Sequence, residues 1–171
     1  RQYGNSVVTT SYPQKNEVKK NYKVVQWPTF GAGNSFVRRA IVDTIRFNPA
    51  FEFGYGEDSD FGMQLRNLGN DVLYLPKPEI VHLKAPMGGF RTKPVLKWHE
   101  DEIQPKPSPT VMLYILIHNT KQQLLGYKTT LFFKYYKHQK IKNPYDYYKN
   151  FQKQWSTSIF WAEQLKKQNE V

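Results

Sequence analysis

Residues 54–69 read Gly-Tyr-Gly-Glu-Asp-Ser-Asp-Phe-Gly-Met-Gln-Leu-Arg-Asn-Leu-Gly, and this stretch carries the strongest local signals in the chain. Phe61, Leu65 and Leu68 recur at the spacing of one helical face, which predicts a short amphipathic helix. Gly69 supplies a residue that tolerates positive φ and so predicts where the helix ends. The glycines at 54 and 56 favour a tight turn just before it.

Three acidic residues, Glu57, Asp58 and Asp60, are thereby placed at or near the start of the predicted helix. Acids in this position cap free backbone N–H groups and complement the helix dipole, and a purely structural role is one interpretation. A cap needs only one acid. The additional carboxylates favour a second interpretation, in which the turn is an active-site cluster.

Length and composition restrict the class of protein. A chain of 171 residues is long enough for one domain with a sizeable core. The absence of cysteine excludes disulfides, thiolate zinc sites and a cysteine nucleophile, and it fits a reducing compartment. The longest apolar run, residues 111–117, is far shorter than the ~20 residues that cross a bilayer. We expect a cytoplasmic protein, either soluble or peripheral at the inner face of the membrane.

The net charge of +11 is concentrated near the carboxyl end, where residues 121–171 contain ten lysines and three acidic residues. Aromatic residues are interleaved with these lysines, as in residues 131–137 and 145–149. The mixture suits a nucleic acid, an anionic lipid surface or a phosphorylated glycan carrier. The alternative is a solvated lysine face on helices whose aromatic residues form a core.

Elsewhere the pattern predicts an irregular polar lead-in over residues 1–23 and strands over 23–27, 34–38, 72–75 and 80–83. It predicts a helix over 39–45, and Pro76 is expected to end the third strand. His82 is placed at or near the end of the fourth. From Thr110 onward the pattern is mainly helical, with a break around Asn143-Pro144. No glycine-rich nucleotide-binding motif is present.

Residues 84–110 contain five prolines and are predicted to be a loop. Gly88 and Gly89 form a flexible hinge beside two cationic residues, Arg91 and Lys93. This combination is typical of a lid that closes over an anionic ligand. An ordinary surface loop is the alternative.

Three segments in order carry a family resemblance: residues 31–38 (Gly-Ala-Gly-Asn-Ser-Phe-Val-Arg), residues 56–69, and Ile80-Val81-His82. Together, over about residues 30–93, they resemble the second half of the catalytic domain of family 2 glycosyltransferases, which have the GT-A fold. The resemblance implies an α/β fold in which residues 1–110 form the acceptor side of a GT-A mixed sheet with flanking helices. Residues 111–171 are expected to form a basic, aromatic helical extension.

The resemblance also implies roles for individual residues. Asp58 matches the family's catalytic base, and the chemistry agrees, because inverting sugar transfer needs a carboxylate to take the proton of the acceptor hydroxyl. Glu57 is expected to orient the acceptor, and Asp60 to cap the helix. Gly33 and Asn34 fall in the neighbourhood of the acceptor or the donor sugar.

Other residues are expected on the diphosphate side. His82 matches a position that in some family members holds the divalent metal, Mn or Mg, or lies beside the diphosphate. Arg91 and Lys93 are expected to contact the diphosphate, and Gly88 and Gly89 to let this lid move.

The chain departs from the family in one respect. The family's first half carries the nucleotide-sugar pocket and an Asp-x-Asp metal motif at a strand end, and this sequence shows no such half. Asp58-Ser59-Asp60 also has the Asp-x-Asp pattern, but its position in the sequence matches the family's acceptor-side motif. We therefore expect a truncated glycosyltransferase, inactive alone, that in full length moves a sugar from a nucleotide-sugar donor to a glycan or lipid-linked acceptor, as in polysaccharide biosynthesis.

Three other functions fit less of the sequence. A glycosidase needs two carboxyls about 5–9.5 Å apart across the scissile bond, which sequence neighbours rarely provide. A basic nucleic-acid module leaves the acidic cluster unexplained and lacks zinc, RRM or KH signatures, so nucleic acid is not the expected partner. A non-catalytic interaction domain on the same scaffold is the third. The basic carboxyl-terminal region is also expected to allow peripheral membrane contact.

Overall fold

The computed structural model describes residues 7–14, 17, 22–52, 54–82 and 95–169. Within these residues the chain forms one four-stranded mixed sheet and five α-helices, so the predicted α/β class is confirmed. The chain divides into two compact units. Unit 1 contains residues 1–48 and 57–94, and unit 2 contains residues 49–56 and 95–171. The predicted functional division at residue 110 stays a prediction.

Unit 1 is built on the sheet. Its strands are β1 (Val7–Ser11), β2 (Val25–Gln26), β3 (Ser35–Val37) and β4 (Val72–Glu79). They lie in the order β2-β4-β1-β3, so β1 and β4 are the inner strands. These two run parallel, whereas β2 and β3 pair antiparallel to them. The carboxyl ends of the parallel pair therefore point to the same end of the sheet.

The prediction that residues 1–23 form an irregular lead-in is wrong at β1, which is an inner and almost fully buried strand. Thr9, Thr10 and Ser11 make it look polar in sequence, yet threonine suits a pleated strand and its hydroxyl can be satisfied locally. Thr10 Oγ1 donates to the Asn34 carbonyl at 3.3 Å. Ser11 Oγ donates to Glu79 Oε2 at 3.3 Å. The hydroxyls are thus compatible with burial.

Strand β4 continues through Pro76, where it was predicted to end, as far as Glu79. The β1–β4 register shifts between Thr10 and Ser11, and an irregularity of this kind tolerates prolines that cannot donate a ladder hydrogen bond. The predicted strand over 80–83 is reduced, in the described residues, to one bridge between Gln14 and His82. His82 N donates to the Pro13 carbonyl at 2.8 Å.

Two helices belong to unit 1. Helix α1 (Arg39–Val42) is shorter than predicted, whereas α2 (Glu57–Asn67) follows the predicted acidic helix. Gly69 has φ of 74° after the end of α2, which confirms the predicted stop. Phe61 and Leu65 enter the core, but Leu68 is 53% exposed, so the predicted apolar stripe is one residue too long. The buried core of unit 1 consists of Val7, Phe30, Ile45, Phe61, Leu65 and Val72.

Unit 2 is helical. A short 3₁₀ helix (Pro49–Phe51) precedes α3 (Pro109–His118), α4 (Lys121–His138) and α5 (Pro144–Asn169). The predicted break at Asn143-Pro144 is confirmed. A second break precedes α4, where Thr120 and Gln123 form a capping box. No helix in the described part of the chain has both the length and the apolar character needed to cross a membrane.

The aromatic residues of unit 2 divide between core and surface. Tyr147, Phe151 and Trp155 are buried along one face of α5, and Phe132 of α4 contacts the rings of Tyr147 and Phe151. These residues support the interpretation that the aromatics form a core. Phe133, by contrast, is 65% exposed. The core interpretation therefore explains only part of the aromatic content.

Alkaline pH is expected to destabilise unit 2. Burial raises the pKa of Tyr127, Tyr135 and Tyr147 above the ordinary value of 10.0. The folded state thus keeps phenol protons that the unfolded state releases, and stability should fall as the pH rises from about 10 through the raised values. Circular dichroism and phenolate absorbance followed against pH would measure this.

Tyr147→Phe serves as the matched variant for the alkaline transition. The substitution removes one phenol whose ionisation is coupled to unfolding. It also removes the hydrogen bond of 2.6 Å from Tyr147 Oη to the Phe132 carbonyl. We expect a loss of about 1 kcal/mol at neutral pH and a weaker dependence of stability on alkaline pH. Phenols that all ionise at an ordinary pH while the helices stay intact would contradict the prediction.

Candidate functional site

Gly56, Glu57 and Asp58, which we call the acidic turn, lie at the amino end of α2. Gly56 has φ of 123° immediately before the helix, a conformation that favours glycine. Glu57 and Asp58 are the first and second residues of α2, and both side chains are half-buried. The positive end of the helix dipole favours carboxylates at this position. The predicted placement of Glu57 and Asp58 is confirmed.

Asp58 contacts the loop formed by residues 31–34, which we call the glycine loop. The Ala32 N–H donates to Asp58 Oδ1 over 3.3 Å, across 26 positions of sequence. The glycine loop and the acidic turn are two of the segments that carry the family resemblance, and the fold of unit 1 brings them together.

Asn34 fixes the glycine loop to strand β1. Its Nδ2 donates to the Thr10 carbonyl at 2.6 Å, and its own carbonyl accepts from Thr10 N at 3.0 Å. Asn34 N also donates to the Gly31 carbonyl at 3.1 Å, which closes the turn. The amide side chain thus has a structural contact with the sheet, while its neighbour Gly33 is exposed.

A side chain at either glycine of the loop would meet the side chain of another residue. A Cβ on Gly31 would overlap the side chain of Asn34. A Cβ on Gly33 would lie 3.0 Å from the Tyr12 hydroxyl oxygen and 3.2 Å from its ring. The two glycines thus let the side chains of Asn34 and Tyr12 approach the loop closely.

His82 lies on the Tyr12 side of the glycine loop. The rings of Tyr12 and His82 are stacked with centroids 4.4 Å apart and planes inclined by 11°. Tyr12 follows the carboxyl end of β1, and His82 follows that of β4. Ligands in open α/β sheets bind outside the carboxyl ends of the strands, and the glycine loop lies at this end. Asp58, the glycine loop, Tyr12 and His82 together form the candidate site.

Asp60 does not occupy the capping position that the sequence predicted. It is the fourth residue of α2, its side chain is buried, and its Oδ2 accepts from Gln64 Nε2 at 2.8 Å. Gln64 Nε2 also donates to the Arg46 carbonyl at 3.1 Å. Asp60 therefore belongs to the packing of α2 in unit 1 and not to the half-buried acidic turn.

Two residues that position α2 were not singled out in the sequence. Arg66 donates through Nη2 to the carbonyls of Trp27, at 2.8 Å, and Pro28. A Cβ on Gly62 would lie 3.1 Å from the Phe30 backbone nitrogen, so α2 approaches this segment closely. Because residues 27–30 lead directly into the glycine loop, these contacts help to set the distance between Ala32 and Asp58. A glycine inside a helical pattern was the available signal for Gly62.

The described residues do not by themselves fit a divalent metal. No three His, Asp or Glu side chains among them are grouped closely enough to hold an ion. Mg²⁺ and Mn²⁺ prefer oxygen ligands, and the ring against His82 is Tyr12. The four residues of the predicted lid, Gly88, Gly89, Arg91 and Lys93, lie outside the described residues.

No protein-family model, curated protein or solved structure matches this chain.

Gly33→Ala is expected to displace the Tyr12 ring relative to His82. The added methyl meets the Tyr12 ring, and Tyr12, which is 36% exposed, is the partner with room to move. The ring current of Tyr12 should shift the His82 imidazole protons upfield in the unmodified chain, and Gly33→Ala should change that shift in an NMR spectrum. Gly126→Ala is the matched control, because no atom other than its chain neighbours and the backbone of its own helix lies within 4 Å of its Cβ position. Unchanged His82 resonances in Gly33→Ala would contradict the geometry.

Proposed function

We propose that unit 1 is the acceptor side of an inverting, family 2-like glycosyltransferase of the GT-A fold. The enzyme would transfer a sugar from a nucleotide-sugar donor to a glycan or lipid-linked acceptor. The observation that carries the proposal is the hydrogen bond between Ala32 N and Asp58 Oδ1 at 3.3 Å. It joins the glycine loop to the acidic turn at the carboxyl ends of β1 and β4, where this fold class binds ligands.

Asp58 acts as the base in this proposal. As the acceptor oxygen forms its bond to the anomeric carbon, its proton passes to the Asp58 carboxylate, and the bond from that carbon to the nucleoside diphosphate breaks. The Ala32 N–H orients the carboxylate by binding one of its oxygens. Glu57, one residue before Asp58, orients the acceptor hydroxyl.

The donor and its metal are assigned mainly to a part of the enzyme beyond this 171-residue chain. His82 would lie beside the diphosphate, and Arg91 and Lys93 would balance the charge that the diphosphate gains as it leaves. A divalent ion, when bound, would supply further positive charge at the diphosphate. This assignment makes the isolated chain an incomplete enzyme.

Calorimetry with nucleotide sugars tests this division of the site. We expect the full-length protein, with Mn²⁺ or Mg²⁺ present, to bind at least one nucleotide sugar, and the 171-residue chain to bind none detectably. The Asp58→Asn variant of the full-length protein should bind the same donor with nearly unchanged affinity, because Asp58 serves the acceptor. Tight donor binding by the isolated chain, or failure of the full-length protein to bind any donor, would refute the proposal.

A further inference from the structure

One face of α4 exposes large apolar side chains. Leu125 and Phe133 are each 65% exposed, and with Thr129 between them they follow one another at every fourth residue on the same side of the helix. The core of unit 2 is contacted by other residues of α4, chiefly Leu131 and Phe132. Leu125 and Phe133 are therefore not needed to fill the core of unit 2. We call Leu125, Thr129 and Phe133 the outer row of α4.

The hydroxyl groups on this face are bonded back to the helix. Thr129 Oγ1 donates to the Leu125 carbonyl at 2.9 Å, and Thr130 Oγ1 donates to the Gly126 carbonyl at 3.0 Å. Their polar atoms therefore already have partners within α4. A surface that enters an apolar phase must satisfy such groups internally, because an unpaired hydroxyl is costly there. The exposed face of α4 meets this condition at both threonines.

Lysines border the apolar residues. Lys121 lies one turn before the outer row, Lys137 lies one turn after it, and Lys134 is next to Phe133; all three are exposed. Residues 121–143 contain six lysines and neither aspartate nor glutamate. Lys128 differs from these, since its Nζ donates to Gln152 Oε1 at 2.9 Å and lies 5.3 Å from the centre of the Trp155 ring. The cations that border the outer row face solvent, whereas Lys128 contacts α5.

We propose that the outer row of α4 binds the surface of an anionic lipid bilayer, with α4 parallel to the membrane plane. An exposed apolar row flanked by lysines, without acidic residues, is the pattern of an interfacial helix. Single-stranded nucleic acid fits less well, because it binds to stacked aromatic platforms and the row offers one aromatic ring. The inference is independent of glycosyl transfer, since it uses only unit 2.

Vesicle co-sedimentation of the 171-residue chain tests the proposal. We expect binding to vesicles that contain phosphatidylglycerol, weakening with added salt, and no binding to pure phosphatidylcholine vesicles. Phe133→Ser should lower the affinity about tenfold or more. Lys134→Gln and Lys137→Gln should each lower it about fivefold.

Phe160→Ser is the matched control, because Phe160 is 52% exposed on α5 and is not part of the outer row. It should leave vesicle binding unchanged, and circular dichroism would verify that both serine variants fold. As a second readout, a tryptophan placed by Phe133→Trp should be quenched by brominated lipids, whereas one placed by Phe160→Trp should not.

Three results would overturn the proposal. The first is an equal loss of binding in Phe133→Ser and Phe160→Ser. The second is that the chain binds neutral and anionic vesicles equally well, or binds neither. The third is that, at the same salt concentration, it binds a single-stranded oligonucleotide more strongly than anionic vesicles.

Discussion

Asp58→Asn in the full-length protein is expected to lower the rate of sugar transfer by about 10²- to 10⁴-fold, the contribution typical of a positioned general base. Asparagine keeps the shape of the side chain, and its Oδ1 can still accept the hydrogen bond from Ala32 N. The glycine loop should therefore stay in place. The variant loses the group that takes the acceptor proton, so the effect should appear in the turnover number while donor affinity is preserved.

Two neighbouring carboxylates provide controls for Asp58→Asn. Glu57→Gln should act mainly on the acceptor KM, because Glu57 is assigned to orientation. Asp60→Asn should act on the stability of unit 1, since the Asp60 side chain is buried against Gln64. Steady-state kinetics and thermal unfolding of the three variants separate these effects. If the Asp58→Asn variant turned over at the unmodified rate, or if Glu57→Gln lost more activity than Asp58→Asn, Asp58 would not be the base.

Phe151→Ala is expected to have the largest effect on stability, about 3–5 kcal/mol in the free energy of unfolding of unit 2. Phe151 is 1% exposed, and its ring lies 5.3 Å from that of Phe132 and 6.1 Å from that of Trp155, measured between centroids. Removing it takes away contacts between α4 and α5 and leaves a cavity that these large neighbours cannot easily fill.

Phe160→Ala is the matched control for this cavity, because it deletes the same side chain from the exposed side of α5. It should change the free energy of unfolding by no more than about 0.5 kcal/mol. Denaturant unfolding followed by tryptophan fluorescence reports chiefly on unit 2, since Trp98, Trp155 and Trp161 belong to it. Similar losses in the two variants would contradict the assignment of Phe151 to the core.

The elements that could be predicted from the sequence are those whose structure is determined by residues close together in the chain. Helix α2 could be predicted because its apolar period and Gly69 lie within one short segment. Strand β1 could not, since its residues look polar and its place between β3 and β4 depends on partners far along the chain. For the same reason the predicted end of the strand at Pro76 is wrong, because the register shift that accommodates the proline involves β1.

The candidate site shows the same distinction. The acidic turn could be predicted because its residues are consecutive in the sequence. The family resemblance predicted that the turn and the glycine loop lie in the same site. The burial of Asp60 and the contact of Arg66 with the Trp27 and Pro28 carbonyls depend on how α2 packs, which the local pattern does not contain. The Tyr12–His82 stack likewise joins residues brought together only by the parallel pairing of β1 and β4.

The most direct measurement of the proposed function is acceptor-dependent release of nucleoside diphosphate by the full-length protein. A panel of nucleotide sugars would be incubated with glycan and lipid-linked acceptors in the presence of Mn²⁺ or Mg²⁺. We expect at least one donor and acceptor pair to release nucleoside diphosphate together with a glycosylated product, and Asp58→Asn to lower the rate of both by about 10²- to 10⁴-fold. No release with any pair, or equal release by the Asp58→Asn variant, would contradict the assignment of this chain to the acceptor side of a glycosyltransferase.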